Sequence, residues 1–116
     1  MIEQCIKALI PEGLPTVIGD LPSTRTSVVG IMLFDGAANE EYFNFQTVYS
    51  PVVKLVVRHD SYATGQQWLE AIKRALHRYH DEYFLSITLR GYPVYLGRDE
   101  QKLHTFQIVF NILTKE

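Results

Sequence analysis

PVVKLVVRHDSYATGQQWLEAIKRALH, residues 51–77, decides the fold. Its first half alternates. Val53, Leu55 and Val57 point one way, while Val52, Lys54, Val56 and Arg58 point the other, apolar in the middle and charged at the rim. That period of two predicts a strand. Pro51 fits at its first position, where no ladder donor is needed. The second half steps by three and four: Gly65, Trp68, Leu69, Ile72, Ala75, Leu76 and Tyr79 form one apolar stripe, with Gln66, Gln67, Glu70, Lys73, Arg74, His77 and Arg78 outside it. The spacing predicts an amphipathic helix. Glu70 can meet Lys73 and Arg74 one turn on, and the basic residues gather in the last turns, where the macrodipole favours them. Asp60 or Ser61 is the natural N-cap, so Arg58, His59 and Asp60 read first as the passage from strand to helix rather than as catalytic groups.

Working outward, MIEQCIKALI puts Ile2, Cys5, Ile6 and Leu9 on one helical face, and Pro11, Gly13 and Pro15 end that helix. Residues 16–18 read as a short strand. Residues 27–34, SVVGIMLF, form a nearly continuous apolar run, which predicts a buried strand with a bulge or close backbone approach at Gly30. Residues 35–51 read as one long loop carrying Tyr42, Phe43, Phe45, Val48 and Tyr49. Aromatic side chains in a loop need a surface to bury against, either the local core or a partner. Beyond the central helix, Leu85, Ile87 and Leu89 alternate with Phe84, Ser86, Thr88 and Arg90. YPVYLG makes a further strand, GRDEQK a polar turn, and LHTFQIVFNIL a closing strand with Phe106, Ile108, Phe110 and Ile112 on one face. The expected architecture is a single α+β domain over residues 1–116, with one mixed or antiparallel sheet and two helices packed on one side.

The 116 residues suit one domain with one core, and 47% apolar with 21% charged residues is ordinary for a globular protein. A formal net charge of −2 argues against a nonspecific grip on nucleic acid, which needs clustered Lys and Arg. Cys5 is the only cysteine, so an internal disulfide is impossible and a reducing compartment is expected. Cys5 reads as core filler. Glu3 and Lys7 interrupt the N-terminal apolar residues, against a signal peptide, and no run reaches the roughly 20 apolar residues that span a bilayer, so no membrane partner is expected.

The chemistry-bearing residues are few. His77, His80 and Asp81 would share a helical face if the helix persisted, which is the nearest approach to a zinc site. A histidine at a helix C-terminus has its own electrostatic reason, however. Asp99, Glu100 and His104 sit in and after a hairpin turn. No phosphate loop, nucleophile elbow or HExxH spacing is present. The residues therefore predict neither catalytic group nor metal nor cofactor. The competing reading is a small metal-dependent hydrolase or nuclease built on His59 and Asp60 with His77 and His80.

SPVVKLVVRHDSYATGQQWLEAIKRALH followed by YPVYLGRDEQKLHTFQIVFNI, with GDLP near the start, resembles the small phage proteins labelled minor capsid proteins. These are similar to the head–tail joining, tail-completion and tail-terminator proteins of long-tailed phages. The resemblance runs from about Met1 to Leu113 and contains no catalytic signature. It implies a structural virion protein at the head–tail junction: a homo-oligomeric ring, usually hexameric, that caps the tail tube and meets the head connector, with DNA passing through its lumen without specific binding. Tyr42, Phe43, Phe45 and Tyr49 are the expected contact residues, with Arg58, Arg90 and Arg98 as polar interface candidates, because aromatic residues and Arg are enriched in interface cores.

Overall fold

The structure is a computed structural model that describes residues 2–19, 26–34, 41–43, 46–49, 51–100 and 102–115, with side chains for these except 34, 41–49 and 115. Among the described residues the order is α1 (Ile2–Leu9), β1 (Thr16–Ile18), β2 (Val28–Phe34), β3 (Glu41–Phe43), β4 (Gln46–Tyr49), β5 (Val52–His59), α2 (Tyr62–Leu76), β6 (Phe84–Leu89), β7 (Val94–Arg98) and β8 (His104–Lys115). The strands make one mixed sheet in which β1 runs parallel to β2 and every other pair is antiparallel.

β8 is the spine. Along one edge it pairs with β5 from His104 to Asn111, and β4 continues that edge in the same register at Thr114 and Lys115. The carbonyl of Pro51 bridges the two by accepting from Ile112 N at 3.0 Å. Along its other edge lie β7 and β6, end to end. The alternation sorts the faces as the sequence predicts. Val53, Leu55 and Val57 pair with Phe110, Ile108 and Phe106, and this face carries Val29 and Ile31 as well. These side chains are buried in one cluster with Ile2, Ile6 and Ile10 at α1 and Leu69, Ile72 and Leu76 of α2, so both helices cover the same side. Ser61 caps α2, its hydroxyl accepting from Thr64 N at 3.3 Å. Cys5 is half-buried against the same core.

Four local expectations change. Residues 35–51 are not one loop: β3 and β4 form a hairpin, because backbone pairing needs no side-chain alternation. α2 stops at Leu76, with His77 in extended backbone and Arg78 at φ +66°, so Tyr79 lies beyond the helix. A bulge between Phe84 and Ser86 puts Phe84 on the core side with Ile87 and Leu89, leaving Leu85 half-buried. The ladder runs unbroken through Gly30, so no bulge falls there.

Candidate interaction surface

Apolar exposure gathers at the edges of the sheet. β7 has β8 on one side, and among the described residues no strand on the other. Tyr92 is 89% exposed, Val94 46%, Tyr95 41% and Leu96 52%; at the opposite edge Ile18 of β1 is 43% exposed. A bare apolar edge strand is a pairing template, and proteins usually guard such edges with Lys, Pro or a covering loop. Here Pro93 stands just before β7, and the residues flanking the patch are Arg90 and Arg98, both exposed.

The edge is rigidly backed. The Tyr95 ring lies 5.1 Å from Phe106 and 5.1 Å edge-on from Tyr62, the first residue of α2. Its hydroxyl stands 2.8 Å from His104 Nδ1. Gly97, at φ +93°, opens the bulge that re-aims the strand after Tyr95, a backbone region that favours glycine. The β7–β8 turn is then clamped by Asp99. Its Oδ1 accepts from Leu103 N at 3.0 Å, and its Oδ2 meets Arg58 Nε at 3.1 Å. Arg58 reaches this carboxylate across Thr105 of β8, opposite the side-chain-free Gly97. Arg58 is therefore a largely buried strut, while Arg90 and Arg98 stand in solvent.

The strand-to-helix knot is structural. His59 Nδ1 lies 2.9 Å from Ser61 N, which donates to it, and 3.0 Å from Asp60 Oδ1. The imidazole stacks edge-on to Trp68 at 4.7 Å. At the far end of α2, His77 Nδ1 accepts from Leu89 N at 3.0 Å. The fifteen residues of α2 hold His59 and Asp60 about 22 Å from His77 and His80, so the two groups cannot share an ion or a substrate atom. Among the described residues no three His, Cys, Asp or Glu side chains group as metal ligands. The structure thus does not bring together the hydrolase constellation of His59, Asp60, His77 and His80.

Asp81 has a different task. Its Oδ1 accepts from Phe84 N at 2.7 Å and Tyr83 N at 2.8 Å, and its Oδ2 accepts from Tyr79 O–H at 2.8 Å. The Phe84 bond, then the Tyr79 hydroxyl, hold the carboxyl below the usual carboxylate range. A lowered folded-state value means the stabilisation is present above the unfolded value of about 4 and is lost as pH falls through the folded one. Urea midpoints of the wild type should therefore fall more steeply below about pH 4 than those of Asp81→Asn. Parallel curves would remove Asp81 from that role.

Of the expected contact residues, Tyr42, Phe43 and Tyr49 lie on the β3–β4 hairpin with side chains outside the described set, and Phe45 lies outside the described residues. The sequence reading missed the edge residues Ile18, Tyr92, Val94, Tyr95 and Leu96. A signal was present: YPVYLG is apolar on both strand faces, which suits a strand buried on both sides or one awaiting cover.

The family described as "Bacteriophage tail terminator protein" matches residues 7–116. Among solved structures, a chain in "Virion of native gene transfer agent (GTA) particle" is similar in fold, with TM-score 0.65 and 12% identity over 96% of this chain and 84% of that one. No curated protein sequence matches.

Proposed function

Because the chain belongs to the bacteriophage tail terminator family and is a structural protein of the virion tail, we propose that it closes into a six-subunit ring that caps the tail tube and joins it to the head. The observation that carries this reading is the family match over residues 7–116 on a sheet whose two lateral edges, β1 and β7, are unpaired on their outer sides among the described residues and carry exposed apolar side chains. A cyclic ring requires two different patches per subunit that meet head to tail, and such edges supply them. Tyr42, Phe43, Phe45 and Tyr49 contact the tail tube protein or the head connector. Arg90 and Arg98 serve the subunit joint directly, and Arg58 serves it from beneath by fixing Asp99. DNA passes through the lumen unheld, since grip grows with the number of neutralised phosphates and the chain carries a net charge of −2. Capping a polymer requires no bond chemistry, and the protein acts without catalysis.

Electron microscopy of the purified protein, alone and with tail tubes, tests this. The expected images are six-fold rings and tubes capped at one end. Protein that stays monomeric at every concentration and leaves tube ends bare overturns the reading.

A further inference from the structure

The two edges, unpaired among the described residues, lie on the same rows of the sheet. One row runs Val17–Gly30–Val56–Gln107–Val94, from β1 through β2, β5 and β8 to β7. The next runs Thr16–Val29–Val57–Phe106–Tyr95. β1 runs with β2 and β8, whereas β7 runs against them. A second copy set alongside, helices on the same side, therefore presents its β1 antiparallel to the first copy's β7 at the same level. Of the seven exposed large apolar residues among those described, Ile18, Tyr92, Val94, Tyr95 and Leu96 flank this junction, and Tyr62 backs it.

Among the described residues the charge nearest β1 in sequence is Glu12, while Arg90 precedes β7 and Arg98 ends it, with Asp99 beyond Arg98 engaged by Arg58 and Glu100 next to it. Opposite signs across a contact favour the joined register and disfavour an edge meeting its own kind.

We propose that the outer edge of β7 is extended by β1 of a second copy of this chain, so that neighbouring sheets join through backbone hydrogen bonds. The occupant is a second copy because each edge has its complement in direction and level on the same molecule. Pairing of an edge with its own kind does not propagate, whereas β7 onto β1 leaves a fresh β7 at the end of every addition until the ring closes. Each junction also covers the apolar residues that a lone subunit leaves in water. This inference rests on the ring reading and supplies its joint.

Cysteine cross-linking tests the joint. In a Cys5→Ser background, Val17→Cys is combined with Val94→Cys. Within one subunit these positions stand four interstrand steps apart, about 19 Å, far beyond disulfide reach. Oxidation is expected to give a ladder of covalent oligomers, whereas Val17→Cys with Gln67→Cys on the outer face of α2 gives none. Independently, Val94→Lys combined with Leu96→Lys is expected to raise the concentration needed for assembly about 30-fold or more, with circular dichroism unchanged. Rings that form normally in the lysine variant, or wild-type rings whose cysteine pair gives no ladder, overturn the edge joint while leaving the ring intact. A wild type that never assembles takes down the ring reading, and the joint with it.

Discussion

Phe110→Ala lowers the free energy of unfolding by about 3–5 kcal/mol, against the roughly 5–15 kcal/mol that holds a typical domain together. Phe110 is fully buried in the middle of β8, with Val53 beside it on β5 and Leu89 beside it on β6. Removing the ring takes away its transfer free energy and leaves a cavity. On one side the wall is β5, held between β2 and β8, so it cannot collapse into the cavity. Phe110→Leu keeps most of the volume and should lose markedly less. Urea unfolding followed by tryptophan fluorescence and by circular dichroism measures both. A loss under about 1 kcal/mol for the alanine variant would mean that the site is not packed as described.

The second large effect runs against helix propensity. Gly65 lies in the first turns of α2, where alanine would ordinarily add about 1 kcal/mol of stability. A Cβ there overlaps Phe106 Cε1. Phe106 is fully buried, with Tyr95 at 5.1 Å and Tyr62 at 5.5 Å, so the ring has nowhere to swing. Either α2 lifts from the sheet or the ring leaves its rotamer. We expect Gly65→Ala to destabilise by about 1 kcal/mol net, since overpacking at roughly 1–3 kcal/mol outweighs the gain in helix propensity. Phe106→Leu should cost less in the Gly65→Ala background than alone, because it makes room for the new methyl group. Additive losses would show that the two residues do not meet, and a stabilised Gly65→Ala would show that the helix sits farther from the sheet.

Much of this architecture is legible from local rules. The alternation of Val52–Arg58 and of Phe106–Ile112 fixed both the strands and their inward faces, and Ser61 caps α2 as its hydroxyl predicts. The misses share a cause. A strand pairing that owes nothing to side-chain period, as in β3 and β4, leaves no pattern to find. The bulge after Phe84 shifts the phase of β6 by one residue, and only the partner strand reveals the shift. The end of α2 at Leu76 depends on Arg78 N donating to Ile87 O, a contact nine residues away. The exposed edge is the hardest of these to read. Tyr92, Val94, Tyr95 and Leu96 look in sequence like any strand, and whether a strand has one neighbour or two depends on the whole topology.

The central place of β8 has a kinetic consequence. It follows every other element in the chain yet pairs with β4, β5, β6 and β7. On the ribosome, the earlier strands wait without their common template until β8 has cleared the exit tunnel. The closing step is therefore late and dominated by contacts distant in sequence, the kind that makes folding slow. Until then β7 lacks the strand that holds it in the sheet, so a joint of the kind proposed above would form only after β8 has emerged.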